Sequence, residues 1–260
     1  MRQVVLITGA TSGNGKATAL HLLRERHIVY GAARRTEQMD ELVEAGGHAL
    51  RMDVTNEEEI TAGVQQIIKE QGRIDVLVNN AGYALYGAVE DVPLEEAQRQ
   101  FDVNLYGVAR VTRAVLPQMR TQHDGKIINV SSMGGRIYTP LGAWYHASKH
   151  ALEGWSDCLR LELKAFKIDV IIIEPGLIAT EFGDVMTEPM LKYSGDGPYA
   201  KWANAVAQAT EATYEKESAS SPPLVIAKTI HKAIDSKKPK TRYAAGKMAR
   251  PLLLVRKFLG

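Results

Sequence analysis

Short apolar segments alternate with longer amphipathic segments along most of this chain. Segments rich in Val and Ile predict strands at residues 4–8, 27–32, 48–54, 74–82, 125–132 and 168–176. Several are apolar at every position, which is typical of strands covered on both faces of a parallel sheet. Helical periodicity is found at residues 15–25, 56–71, 93–120 and 144–166. The alternation predicts an α/β fold, a doubly wound parallel sheet with helices on both faces.

No linker rich in Pro, Gly or Ser divides this pattern, so one domain over residues 1–260 is the economical interpretation. The alternation of predicted strands and helices is interrupted at about 177–224, between the sixth strand and the helix after Pro222 and Pro223. An insertion of this length predicts a substrate lid. The final segment, RPLLLVRKFLG, is apolar and basic. It could cover the substrate site, join a subunit interface or, least favoured, lie on a membrane surface.

Composition excludes several classes of protein. The 32 Lys and Arg residues nearly cancel the 30 Asp and Glu residues, so no global field favours a nucleic-acid partner. Cys158 is the single cysteine, and no Cys/His cluster has the spacing of a structural zinc site, so we expect neither a disulfide nor a metal. The chain shows no secretory-type leader before Val4 and no run of about 18 apolar residues. We therefore expect a cytoplasmic protein.

The sequence TGATSGNG, residues 8–15, follows the first strand and opens a helix. Gly9, Gly13 and Gly15 allow a tight turn and close approach to a pyrophosphate, which free amides at the helix N-terminus stabilise. An ordinary Gly-rich turn is the alternative. We assign Thr11, Ser12 and Asn14 of the same loop to the predicted cofactor site.

The second strand ends in GAARR, where NAD-binding sheets commonly have an acid that holds the ribose hydroxyls. Arg34 and Arg35 occupy that place instead, and a guanidinium there can bind a 2′-phosphate. The sequence therefore predicts NADP(H) rather than NAD(H). The alternative is a solvated basic turn.

Tyr145 and Lys149, in YHASK, are one helical turn apart and share a helix face. A tyrosine with a pKa of about 10 is a poor acid or base at pH 7, and a nearby ammonium lowers that pKa. The strand ending NVSS brings Ser131 and Ser132 to the sheet edge where open α/β sheets bind ligands. Ser132 is the better candidate to donate a hydrogen bond to a substrate carbonyl oxygen.

With NNAG at 79–82 and EPG at 174–176, these motifs resemble the short-chain dehydrogenase/reductase family, in order from Thr8 to about Tyr243. The resemblance implies a single Rossmann-type domain and a homodimer or homotetramer. It also implies hydride transfer between NADP(H) and a carbonyl or secondary alcohol, with Tyr145 as general acid and base. The catalytic tetrad that it implies is Asn104, Ser132, Tyr145 and Lys149, of which Tyr145 and Lys149 also contact the cofactor.

The resemblance implies further cofactor contacts. Asp53 and Val54 would lie at the adenine. Asn79 or Asn80, with Ala81 and Gly82, would line the adenosine ribose side. The nicotinamide carboxamide would be held by Pro175, Gly176, Ile178 and Thr180. Each has a plainer alternative as a turn cap, a strand end or a loop residue. Asn14 departs from the family, which usually has Ile or Leu there.

Apolar residues in the lid and near Ser132 predict an apolar, bulky substrate. The stretch from Ala151 to Phe182 also resembles the branch with 17β-hydroxysteroid and retinol dehydrogenases, so a steroid-like or other lipophilic ketone is expected. Two alternatives remain: a non-catalytic NADP(H)-sensing regulator, and a sugar epimerase or dehydratase. We interpret His146 as a pocket or helix residue and Cys158 as a packing residue.

Overall fold

The computed structural model of this chain describes residues 2–215 and 219–259. Seven strands form one parallel sheet in the order β3-β2-β1-β4-β5-β6-β7. The strands are β1 (Val4–Thr8), β2 (Ile28–Ala33), β3 (His48–Arg51), β4 (Val76–Asn79), β5 (Gly125–Val130), β6 (Ile168–Pro175) and β7 (Arg242–Ala245). From β1 the sheet grows toward β2 and β3 on one side and toward β4 to β7 on the other. The connections therefore leave in opposite directions between β1 and β4, and this leaves a crevice at the carboxyl ends of these two strands.

Ten α-helices are found in the described ranges. They are α1 (Gly13–Arg24), α2 (Asp40–Glu44), α3 (Glu57–Gln71), α4 (Leu94–Phe101), α5 (Val108–Gln122), α6 (Ala143–Leu163), α7 (Phe182–Ser194), α8 (Ala200–Glu215), α9 (Leu224–Asp235) and α10 (Ala249–Leu259). A π-helical turn, Asp102–Gly107, joins α4 to α5. Short 3-10 turns occupy Thr36–Met39, Met133–Gly135 and Lys164–Phe166.

Each face of the sheet is covered by its own set of helices. Alternate residues of β1 point to opposite faces: Leu6 joins the core that contains α3, α5 and α6, while Ile7 joins the core that contains α1, α2 and α9. Both residues are fully buried. Burial on two faces is why the strands are apolar at successive positions. The predicted doubly wound α/β fold is confirmed.

The structure also departs from the sequence-based expectations. β7 was not predicted, and the helix expected at 93–120 is divided by the π-helical turn. Cys158 is exposed, so its interpretation as a packing residue is wrong. The predicted domain of 1–260 and lid of 177–224 include residues 1, 216–218 and 260, which lie outside the described part of the chain. No helix among the described residues has the length and apolar character needed to cross a bilayer.

Candidate active site

The carboxyl ends of β1 and β4 are tied together beside the Gly-rich loop. The backbone amides of Asn80 and Ala81 both donate to Thr8 Oγ1 at 3.0 Å. The Asn80 side-chain amide donates to the carbonyls of Thr8 and Gly9 at 3.0 and 3.1 Å. These bonds hold the loop that begins at Gly9 against the end of β4.

The loop has a backbone conformation that requires glycine. Gly9 and Gly13 have φ values of 68° and 52°, in the left-handed region. A Cβ at Gly15 would lie 2.1 Å from the Gly9 carbonyl oxygen, so α1 can approach the loop this closely only without a side chain there. The three glycines that were assigned to the cofactor loop therefore allow one narrow turn.

The same turn fits a pyrophosphate group. Ser12 precedes α1 in an extended conformation, its side chain makes no capping hydrogen bond, and the first turn of α1 contains no acidic residue. The amides at this N-terminus thus face no carboxylate of their own helix, as an anion site requires. Asn14 Oδ1 is buried without a hydrogen-bond partner in the described chain, so this departure from the family pattern adds an unsatisfied acceptor beside the turn. Lys16 forms an ion pair with Glu41 at 2.7 Å.

A cavity of about 600 Å³ lies beyond the end of β2. Of the two predicted arginines, Arg34 lines it, and Arg51, which sequence analysis did not single out, lines it as well. Arg35 is exposed on the same turn. The first-turn residues of α3, Glu57–Glu59, also border this cavity and bring negative charge to it.

Asp53 and Val54 follow β3 at the border of this region. Burial alone would raise the pKa of Asp53, but hydrogen bonds from Thr55 and the charge of Arg34 hold it below its usual value. The Thr55 amide and hydroxyl donate to Asp53 Oδ1 at 2.9 and 2.7 Å. Asp53 therefore caps a turn through its bonds to Thr55. The same carboxylate is ionised and lines the cavity. Val54 is buried against Gly107.

The two neighbouring asparagines of NNAG have different environments. Asn79 is 2% exposed, and its side-chain amide donates to Thr112 and Asn129 in the interior of the sheet. The Asn79 side chain therefore belongs to a buried polar network between β4, β5 and α5. Asn80 is the residue that faces the Gly-rich loop, through the bonds given above.

Tyr145 and Lys149 lie on the buried face of α6, at 6% and 7% exposure. Lys149 Nζ donates to the Val130 carbonyl at the end of β5, at 2.9 Å. Burial lowers the pKa of Lys149 to about 8, against the opposing effect of Glu153 one turn further along α6. The electrostatic interaction of a buried ammonium with neighbouring groups is stronger than in water, because the local dielectric constant is lower.

Ser132 follows β5 and starts the 3-10 turn. Its Oγ accepts a hydrogen bond from the Gly134 amide at 2.9 Å, which leaves the hydroxyl hydrogen available to a substrate oxygen. Ser131 is 4% exposed and therefore less accessible. The choice of Ser132 over Ser131 agrees with this difference in exposure.

His146 holds the segment after Ser132, a role that sequence analysis did not find. Its Nδ1 lies 2.8 Å from the Gly134 carbonyl oxygen, and the Thr139 amide donates to its Nε2 at 3.1 Å. A carbonyl only accepts and an amide only donates, so the ring is neutral with its hydrogen on Nδ1. Burial lowers the pKa of His146, which favours the same neutral form. No motif signals this contact, because it depends on how the loop folds back.

Asn104 lies in the π-helical turn and is 1% exposed. Its amide bonds to both the N–H and the carbonyl of Tyr83, at 3.1 and 2.9 Å, and its Nδ2 donates to Ser148 Oγ at 3.1 Å. A Cβ at Gly82 would lie 3.0 Å from Asn104 Oδ1 and 3.7 Å from Lys149 Nζ. Asn104 and Lys149 therefore both approach Gly82.

The segment after β6 lies between the Gly-rich loop and the lid region. Leu177 and Ile178 bridge to Lys247 and Ser221. A Cβ at Gly176 would lie 2.0 Å from the Lys247 carbonyl oxygen, so this crossing requires glycine. Ile178 is buried, and a Cβ at Gly13 would lie 3.4 Å from Thr180 Cγ2. Pro175 is the last residue of β6. The predicted nicotinamide segment, residues 175–180, therefore extends from the end of β6 to the Gly-rich loop, which Thr180 approaches at Gly13.

Helices α7 and α8 form an apolar enclosure around Tyr145. The Tyr145 ring lies 5.6 Å from the ring of Phe182 and 5.8 Å from that of Tyr86, between centroids. Residues packed in the same cluster include Met186, Met190 and Ala203. The phenol therefore has apolar surroundings on the lid side.

Comparison with known proteins agrees with this geometry. The short chain dehydrogenase family model matches residues 3–190. A 3-ketodihydrosphingosine reductase of Bacteroides thetaiotaomicron is 46% identical over 182 residues, which cover 70% of this chain and 66% of that protein. An NADPH-dependent 3-dehydrocapnine reductase of Ornithobacterium rhinotracheale is 34% identical over 94% of this chain and 87% of its own length.

A solved structure extends the likeness to the whole fold. The crystal structure of a short-chain dehydrogenase from Streptomyces avermitilis superimposes with a TM-score of 0.85 at 36% identity, and the match covers 98% of this chain and 91% of that one. The match includes the sheet, the helices on both its faces and the helices after β6. The chain belongs to the short-chain dehydrogenase/reductase family of oxidoreductases.

Proposed function

We propose that this protein is an NADP(H)-dependent oxidoreductase that transfers a hydride between nicotinamide and the carbonyl or secondary alcohol carbon of an apolar substrate. The observation that carries the proposal is that Tyr145 and Lys149, one helical turn apart, are both buried on the same face of α6. Both residues lie in the family motif, and Ser132 ends the neighbouring strand segment. A buried lysine with a lowered pKa, one helical turn from a tyrosine, suits proton transfer.

The chain's own residues would manage the proton and the oxygen. Nicotinamide, when bound, supplies or accepts the hydride. During reduction, Tyr145 donates its phenolic proton to the carbonyl oxygen as that oxygen gains negative charge, and Ser132 donates a hydrogen bond to the same oxygen. The positive charge of Lys149, one turn further along α6, would stabilise the phenolate that Tyr145 becomes when it gives up its proton. Asn104 fixes the segment at Gly82 that Lys149 approaches.

The cofactor preference rests on charge at the end of β2. Arg34 and Arg51 border the cavity there, and no acidic residue occupies the position that follows β2. The 3-dehydrocapnine reductase is named as NADPH-dependent, which supports the same preference. Glu57–Glu59 oppose it, so the effect of Arg34 is the quantity to measure.

The apolar surroundings of Tyr145 support a lipophilic ketone as substrate. The two reductases above act, by name, on 3-ketodihydrosphingosine and 3-dehydrocapnine. Neither name supports the steroid and retinol branch, so a steroid ketone is one test compound rather than the expected substrate. The relatives are named reductases, and they give no support to a non-catalytic sensor.

A panel of ketones assayed with NADPH and NADH tests the proposal. We expect kcat/KM for an apolar ketone to be at least about tenfold higher with NADPH, because one charged contact to the 2′-phosphate contributes roughly 1.5–3 kcal/mol. Arg34→Ala should reduce that ratio, whereas the exposed Arg2→Ala should leave it unchanged. A clear preference for NADH would overturn the cofactor assignment, and no turnover with any ketone or alcohol would overturn the activity.

Assembly, location and the role of the C-terminal segment stay predictions. The family resemblance implies a dimer interface on the helices near residues 103–120 and 144–166. Tyr106 and Leu161 in these segments are 56% and 76% exposed in the single chain, which supports this proposal. The Arg256 guanidinium lies 5.3 Å from the centre of the Tyr138 ring, in the segment after Ser132. This contact supports the proposal that α10 covers the substrate site and does not lie on a membrane surface. Sedimentation velocity of the protein alone measures its assembly, and sedimentation with lipid vesicles tests whether the C-terminal segment binds a membrane. The proposed location is cytoplasmic.

A further inference from the structure

A cluster of histidines lies away from the active site, where α1 and α9 pack together. His21 and Glu25 are one turn apart at the end of α1, and His231 and Asp235 are one turn apart at the end of α9. The two pairs face each other, with His21 Nε2 3.2 Å from His231 Nδ1. His27, which directly precedes β2, packs its ring 5.6 Å from that of His231. The cluster therefore lies at the edge where strands begin, opposite the candidate active site.

We propose that His21, Glu25 and His231 form a binding site for Zn²⁺ or a similar divalent transition metal, which links α1 to α9. One ligand atom from each of these residues lies within 4.8 Å of the other two. In tetrahedral zinc sites the metal–nitrogen distance is about 2.0–2.1 Å, which separates two nitrogen ligands by roughly 3.3 Å. The two imidazole nitrogens are 3.2 Å apart, a hydrogen-bond distance in the metal-free chain that is also compatible with the spacing of two zinc ligands.

Asp235 supplies the second feature of a metal site. Its Oδ2 lies 3.1 Å from His231 Nε2, the ring nitrogen that faces away from His21. If Nε2 carries the hydrogen and donates it to Asp235, Nδ1 presents its lone pair toward His21. Metal-binding histidines commonly have such a carboxylate partner, which fixes the ring and increases its basicity. In the site formed by His21, Glu25 and His231, Asp235 would therefore be a positioning residue.

The chemistry of the donors selects the type of ion. Two imidazoles and a carboxylate suit zinc and related transition metals, whereas magnesium and calcium prefer oxygen ligands only. Glu25 is exposed and can turn toward the ion, while Arg24 and Lys228 bring opposing positive charge. A water molecule would complete the tetrahedron.

Zinc titration of the untagged protein against a chromophoric chelator tests this site. We expect one tightly bound Zn²⁺ per chain. Both His21→Ala and His231→Ala should lose this binding, and Asp235→Asn should weaken it about 10- to 100-fold, as outer partners of metal ligands typically do. His48→Gln, at an exposed histidine outside the cluster, should bind as the wild type does.

Thermal unfolding gives a second readout that does not depend on activity. Zinc should raise the Tm of the wild type and of His48→Gln but not of His231→Ala, because a ligand stabilises only a fold that binds it. Circular dichroism of the metal-free proteins shows whether the variants fold; if His231→Ala does not, Glu25→Gln takes its place, with weakened binding expected. Absence of stoichiometric binding by the wild type would overturn the proposal. Binding unchanged in the folded ligand variants would overturn it equally.

Discussion

At the scale of single residues, Lys149 has the largest consequence for the physical chemistry of the site. Its pKa of about 8 in the folded chain lies below the 10.5 of a free lysine, chiefly because of burial. Between these two values the unfolded chain binds more protons than the folded chain, so stability increases as the pH rises. The whole shift corresponds to about 3 kcal/mol.

We expect urea unfolding of the cofactor-free protein to reveal this lysine. Relative to Lys149→Met, the wild type should gain about 3 kcal/mol in the free energy of unfolding between pH 7 and pH 10.5. The exposed Lys69→Met, which also replaces one lysine by methionine, serves as the control for the change of charge. Parallel curves for the wild type and Lys149→Met would show that Lys149 titrates normally.

His146 leads to a second prediction at this scale. His146→Leu would leave the Gly134 carbonyl and the Thr139 amide without their partner, and so loosen the segment after Ser132. We expect kcat to fall about 10- to 100-fold, as misplacement of a reacting group by about 1 Å typically costs, with the dissociation constant for NADPH unchanged. His146→Gln, which keeps a donor and an acceptor, should recover part of the loss. Equal kcat in all three proteins would mean that the loop needs no such anchor.

Tyr145 and Lys149 could be predicted because both lie on one helix, where spacing alone fixes a shared face. His146 is adjacent to Tyr145, yet its role depends on Gly134 and Thr139 across a loop. The two asparagines of NNAG differ for a similar reason: successive side chains at a strand end point in opposite directions, and only the fold shows which one is interior.

At the scale of elements, helices α7 and α8 determine the apolar side of the site. Met190 is fully buried in the cluster that contains Tyr145. Met190→Ala should destabilise this packing by about 2–5 kcal/mol, the usual cost of such a truncation. We expect a higher KM for an apolar ketone with NADPH affinity retained, measured by initial rates and by cofactor fluorescence.

The adjacent Leu191→Ala provides the matched control, because Leu191 is 39% exposed on the same helix. It should leave KM near the wild-type value. If both variants raise KM equally, or neither does, the enclosure around Tyr145 does not contact the substrate, and the lid interpretation fails.

The sequence pattern predicted most of the elements that fill the two cores, because the amphipathic helices have a regular apolar face and the buried strands are apolar throughout. It did not predict α2, which contributes Leu42 to one core. β7 escaped prediction because Arg242–Ala245 is short and only partly buried at the edge of the sheet. The π-helical turn escaped because Asp102–Gly107 continues the helical pattern on both sides, and one extra residue per turn leaves no compositional signal.

At the scale of the whole molecule, the parallel sheet explains how distant segments form one site. The Gly-rich loop, Ser132 and the segment after β6 follow three different strands, and parallel strands bring their carboxyl ends to one edge. No comparable rule of topology predicts the histidine cluster at the opposite edge of the sheet. His21 and His231 are 210 positions apart, and only the packing of α1 on α9 brings them together.

The central claim is that Tyr145 transfers the proton while the fold binds NADP(H) independently of it. The most direct measurement compares Tyr145→Phe with the wild type for NADPH affinity and for kcat with an apolar ketone. The phenol would make one cofactor contact, near the nicotinamide, whereas the Gly-rich loop and the Arg34 cavity would hold the rest of the dinucleotide, so NADPH affinity should be close to that of the wild type. Loss of general acid catalysis should lower kcat about 10²- to 10⁴-fold. Substantial turnover by Tyr145→Phe with intact NADPH binding would contradict the account.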